Sequence, residues 1–112
     1  MMAEPGAGEA GELFERIMSG FRSNPAVSQR TGFGSSPGLR VRGKIFAMLA
    51  EGALVVKLPK DRVDQLVASG IGARFDPGHG RVMKEWVAVP VDRATDWEEL
   101  TATAFTFVDQ RS

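Results

Sequence analysis

The sequence contains no cysteine, which excludes a disulfide framework, a thiol nucleophile and a zinc ribbon. It has a single histidine, His79, and with Asp76 that supplies two metal ligands at most where a site needs three or four. It has no long apolar run: Ile45 to Ala50 falls far below the length of a membrane-spanning helix. It lacks the basic, apolar start of a signal peptide, because Met1 to Glu15 is acidic and glycine-rich. It also has no net charge, with 14 Lys and Arg against 14 Asp and Glu. The expectation is a cytoplasmic domain with no membrane segment, no metal and no cofactor.

What is present fits one globular domain. At 112 residues the chain is too short for a dinucleotide fold plus a substrate domain. Its 43% hydrophobic and 25% charged residues match ordinary globular usage, which excludes disorder throughout and collagen. The zero charge hides an asymmetry: −4 over residues 1–15, +6 over 16–50 and −2 over 51–112. Such segregation bears on partners rather than on fold.

Residues 1–8 read as a flexible acidic tail and 9–112 as the domain. From Glu9, the apolar positions Leu13, Phe14, Ile17, Met18 and Phe21 make one helical stripe, which Asn24-Pro25 ends. A short edge strand is expected near Thr31 to Gly34 and a turn at Ser36-Pro37-Gly38. Leu39 to Ala50, the Glu51-Gly52 turn and Ala53 to Leu58 then form a β-hairpin, with a turn or bulge at Gly43-Lys44. Lys60 to Ser69 reads as a helix stopped by Gly70, 71–81 as a loop and Met83 to Val91 as a strand. Thr95 with Glu98 resembles a capping box opening a last helix. The order is α-β-β-β-α-β-β-α, and the expected class is α+β: two layers, an antiparallel sheet packed against helices.

Three motifs imitate chemistry. Gly6 to Gly11 matches the dinucleotide fingerprint, but too few residues precede it for the strand that chemistry needs. Gly34-Ser35-Ser36-Pro37-Gly38 matches a nucleophile elbow, yet it leads into another strand rather than a helix and reads as a turn. Asp92, Asp96, Glu98 and Glu99 gather where a helix N-terminus favours acids, so dipole compensation explains them better than acid–base catalysis.

Strict alternation along the hairpin puts Val41, Ile45, Ala47 and Leu49 on one face and Arg42, Lys44, Phe46 and Met48 on the other. Val55, Lys57, Trp86 and Lys84 extend the second face, which mixes aromatic and basic side chains. Three readings compete for it, in this order: a solvated face with rings packed on basic stems, a surface covered by self-association or a protein partner, and a nucleic-acid contact. The candidate partner or anion face is Arg40, Arg42, Lys44, Phe46, Lys57, Lys84 and Trp86.

An ordered set of residues carries a family resemblance. Gly32-Phe33-Gly34-Ser35, Gly38-Leu39, Gly43-Lys44-Ile45-Phe46-Ala47-Met48 and Leu54-Val55-Val56-Lys57-Leu58-Pro59 resemble the N-terminal domain of TfoX (also called Sxy), a bacterial competence regulator. Phe75, Gly80 to Trp86, Val89-Pro90 and Trp97 extend the likeness over roughly residues 10–108. The chain is also similar, more distantly, to the YjbR group. Trp86 stands where many members carry Tyr, and Gly34-Ser35 replaces a common Gly-Gly. The resemblance implies a two-layer fold like that of secretion chaperones and no catalytic residues. The full regulator continues into a helical domain whereas this chain ends at Ser112, which implies a stand-alone branch. The functional expectation is a non-enzymatic bacterial regulatory or interaction domain, transcription-linked and acting through protein contacts. The alternative is direct nucleic-acid binding through the basic hairpin.

Overall fold

The computed structural model describes residues 7–31, 37–50, 52–75 and 84–111. Helix α1 (Ala7–Ser19) starts two residues before the expected Glu9 and buries Phe14, Ile17 and Met18 of the expected stripe together with Ala10, while Leu13 and Phe21 are partly buried against the same core. Of the glycine fingerprint, Gly8 and Gly11 lie inside this helix, and Gly6 lies outside the described residues. The chain then reverses through Asn24, whose side-chain carbonyl accepts the Ala26 amide at 3.0 Å, a local turn that Asn favours.

Four strands follow as a meander: β1 (Val27–Thr31), β2 (Pro37–Val41), β3 (Lys44–Ala50) and β4 (Ala53–Lys57). Helix α2 (Lys60–Ala68), a two-residue strand β5 (Ala73–Arg74) and β6 (Trp86–Pro90) come next. A 3₁₀ turn (Val91–Asp96) leads into the last helix, α3 (Trp97–Arg111). The sheet runs β1-β2-β3-β4-β6-β5 and every neighbouring pair is antiparallel. The class is the α+β one expected from sequence, with one strand more in the meander because Arg42-Gly43 is a full turn.

The edge strand begins at Val27, ahead of the expected Thr31, and Pro37-Gly38 opens β2 instead of forming a turn. The elbow residues Gly34, Ser35 and Ser36, like Asp76 and His79, lie outside the described residues. Thr95 falls within the 3₁₀ turn and α3 starts at Trp97, so Thr95 and Glu98 are not a capping box. Gly70 does end α2: at φ 78° it takes the left-handed conformation, and its amide and that of Ile71 bond back to Val67 and Leu66.

The three helices contribute to one core on one face of the sheet. Leu39 and Val41 of β2, Leu54 and Val56 of β4, and Val87 and Val89 of β6 meet the α1 stripe, Val63 and Leu66 of α2, and Trp97, Leu100, Ala104 and Val108 of α3. The polar atoms within that core are satisfied: the Trp97 indole donates to the Pro90 carbonyl at 3.2 Å, and the Thr101 hydroxyl to the Trp97 carbonyl at 2.8 Å. On the opposite face Met48, Val55 and Trp86 form a second buried cluster, with Ile45, Ala50, Phe75 and Ala88 packed around it.

A β-bulge decides which face carries which residue. Leu39 pairs with Ala47 but Arg40 pairs with Ile45, so Phe46 is the extra residue of β3. Phe46 and Ala47 therefore both belong to the helix-side core, while Ile45 and Met48 belong to the other cluster. The expectation that Phe46 and Lys44 share the face of Met48 is overturned: Lys44 lies opposite Val41, so it and Phe46 are on the helix side while Met48 is on the other. Phe46 is fully buried, with ring centroids 5.5 Å from Phe21 and 5.6 Å from Phe105 in edge-on geometry.

Candidate functional site

The strand register brings the predicted basic residues to one end of the sheet. Strand β2 finishes at Val41 opposite Lys44, where β3 begins; β4 returns to finish at Lys57 opposite Trp86, where β6 begins. Arg40, Arg42, Lys44, Lys57 and Lys84 thus lie on or beside four neighbouring strand ends. Three interstrand spacings separate β2 from β6, so the group extends across about 15 Å.

The turn between β2 and β3 sets the geometry of the first three. Arg42 has φ 52° and Gly43 φ 84°. Two successive positive values suit the primed turns of two-residue hairpins, where Asn or Asp before Gly is preferred. An arginine in the left-handed conformation costs roughly 1 kcal/mol or more, from Cβ against its own carbonyl. Its amide donates to the Ala26 carbonyl at 2.9 Å, and its Nε donates to Oδ1 of Asp109, near the C-terminus of α3, at 2.8 Å. The two side chains are 59% and 32% exposed, so the pair contributes about 0–1 kcal/mol and does not exceed the backbone cost. Arg40 donates from Nη1 to the Gly43 carbonyl at 3.2 Å, holding a second guanidinium beside the turn. Lys44 is exposed.

The other two cations differ from each other. Lys57 is held: its ammonium lies 4.0 Å from a Glu85 carboxylate oxygen and 5.9 Å from the centroid of the Trp86 ring. Lys84 is exposed, just ahead of β6. Part of the basic character has a structural role. The C-terminal end of α3 also lies here, as the Arg42–Asp109 pair requires. Cations beside that end complement the helix dipole.

Neither predicted aromatic residue is a free surface ring. Phe46 is in the core, and Trp86 is 4% exposed. The site is therefore a group of cations without a stacking platform. Sequence reading missed both carboxylates that temper it: Asp109 is 67 positions from Arg42, and Glu85 meets Lys57 across β4 and β6. Such pairings become legible only once register is known.

A second candidate lies on the helix side. A groove of about 500 Å³ runs between α2 and the start of α3, with Leu66, Ile71 and Leu100 among its apolar lining and Arg62, Asp96 and Glu99 among its charged lining. Asp92, Asp96, Glu98 and Glu99 occupy the 3₁₀ turn and the first turn of α3. Among the described residues no group of three or more His, Cys, Asp or Glu could hold a metal ion. On α2, Asp64 accepts from Arg74 at 2.6 Å and Lys60 at 2.9 Å; the Arg74 bond, then the Lys60 bond, hold its carboxyl below the usual carboxylate value. That triad ties β5 to α2. No helix among the described residues is long and apolar enough to cross a membrane.

Among the described residues, six antiparallel strands backed by three helices, with cations gathered at one sheet end, define a two-layer α+β domain. The profile of the YjbR family matches residues 22–104, about three quarters of the chain and the whole of the sheet, and the chain belongs to that family. Of the two groups the sequence resembles, the family match thus names the one judged more distant. No curated protein and no solved structure matches the chain.

Proposed function

We propose that this domain is non-enzymatic and works by binding, with the basic end of the sheet as its contact for the phosphate backbone of nucleic acid. One observation carries the reading: strand register gathers Arg40, Arg42, Lys44, Lys57 and Lys84, which span 45 positions of sequence, at one end of the sheet, with Arg40 and Lys57 toward the outer face and Lys44 toward the helix side. The burial of Trp86 and Phe46 shapes it, since recognition then rests on charge rather than on base stacking. A regulatory, transcription-linked role in the cytoplasm accords with this and with the resemblance to the N-terminal domain of TfoX.

Fluorescence anisotropy with a short labelled DNA duplex is the test. With Arg40, Lys44 and Lys84 each meeting a phosphate, log affinity falls against log salt with a slope of about −3, a loss of roughly 40-fold between 50 and 200 mM. No binding at low salt, or binding indifferent to salt, sinks the reading.

A second reading is self-association through the α2–α3 groove. Its charged lining is self-complementary: a two-fold contact sets Arg62 of one copy against Asp96 or Glu99 of the other, over the apolar lining. Sedimentation equilibrium that finds a monomer at every concentration removes it.

A further inference from the structure

We infer that Asp109 is a built-in competitor for the anion at the basic end, holding the Arg42 guanidinium that a phosphate would otherwise take. The inference rests on the binding reading above and names how that surface is held in check.

Two residues that are each locally unfavourable face one another. Arg42 stands in a left-handed conformation that a hairpin turn ordinarily gives to Asn, Asp or Gly. Asp109 stands in the last turn of α3, where the exposed carbonyls disfavour a carboxylate. Their exposed pair is too weak to account for an arginine at that position on grounds of stability. What the arrangement achieves is placement: it fixes a guanidinium at the apex of the turn, beside the C-terminal end of α3.

The contact is also suited to exchange. The structure holds Arg42 to Asp109 through Nε alone, at 2.8 Å, and both side chains reach solvent. Guanidinium is a bidentate donor that fits phosphate at least as well as carboxylate, so an incoming phosphate can displace Asp109 without moving the backbone. A phosphate that meets Arg42 must first break this pair, whereas one meeting Lys44 has no such partner to displace among the described residues.

The experiment is a double-mutant cycle read by duplex binding at low salt: parent, D109N, R42Q and R42Q/D109N, each checked for parental helix content by circular dichroism. D109N is expected to bind about three- to fivefold tighter than the parent, the size of an exposed pair released. Its log–log salt slope is expected to steepen by about one phosphate contact. In the R42Q background, Asp109→Asn is expected to change little. An equal gain with and without Arg42 overturns the inference, because the effect would then be general loss of negative charge. A parent that binds while D109N binds no better overturns the inference alone. Failure of both proteins to bind overturns the phosphate-contact reading with it.

Discussion

Replacing Phe46 by alanine tests the bulge in β3 directly, because the two possible registers assign this ring opposite fates. On an unbulged strand Phe46 shares the outer face with Met48, in a position like the half-buried one Ile45 takes there, and truncating it costs less. With Phe46 as the extra residue, its ring is fully buried between Phe21 and Phe105. A buried phenylalanine removes about 150–200 Å² from water, worth about 4–5 kcal/mol at 25 cal/mol per Å². A compact unfolded state lowers that to about 3–4 kcal/mol. The cavity left between two rings raises it again, so about 3–5 kcal/mol is expected, in line with other buried aromatic truncations. Urea unfolding followed by far-ultraviolet circular dichroism reads this as a midpoint about 2–3 M lower at an unchanged slope, for a slope near 1.5 kcal/mol per M. A loss below about 1 kcal/mol would place the ring in solvent and refute both the bulge and the assignment of faces built on it.

Glycine positions offer a contrast of sign. A Cβ at Gly72 would lie 2.7 Å from the Val87 side chain and 3.1 Å from the Ala88 carbonyl, both on β6, so Gly72→Ala is expected to cost about 1–3 kcal/mol by urea unfolding. Gly11 lies inside α1 with open space around its Cβ position, and Gly11→Ala is expected to raise stability by about 0.5–1 kcal/mol; a loss would mean that the helix does not form there. Asp64 gives a pH signature. Its folded carboxyl is held below the unfolded value of about 3.9, so its pairing stabilises above that pH and the benefit fades as pH falls through the folded value. Stability profiles of the parent and Asp64→Asn are expected to converge on acidification below about pH 4; a gap that persists there argues against the ion pair as its source.

Much of the fold was legible because its signals are local. The α1 stripe, the reversal between Ala50 and Ala53, the α2 span and its stop at Gly70 each depend on residues within one or two turns of one another. Strand β1, Val-Ser-Gln-Arg-Thr, is not legible from sequence because it is polar, lies at an edge and shows no alternation. Strand β5 is two residues long and exists only through pairing with β6. Thr95 and Glu98 have capping-box spacing, but a 3₁₀ turn carries the chain from Pro90 to Trp97 and leaves Thr95 inside that turn. The bulge left no mark, since Phe46 lies in an unbroken apolar strand without a glycine to flag it. At the candidate site the five cations are legible one by one, while their common end comes only from strand register and Asp109 only from the docking of α3.

The order of the sheet also implies a sequence of assembly. Strands β1 to β4 pair each with its successor, so the meander needs only short loop closures. Strand β6 instead pairs with β4 across α2, and that contact carries the larger loop entropy. The charged end includes residues from both parts: Arg40, Arg42 and Lys44 come with the meander, but Lys84 arrives only when β6 docks. A chain caught before that step would present an incomplete charged end and an open β4 edge, the kind of exposed template that recruits other strands. Docking of β6 therefore both completes the charged end and covers the β4 edge.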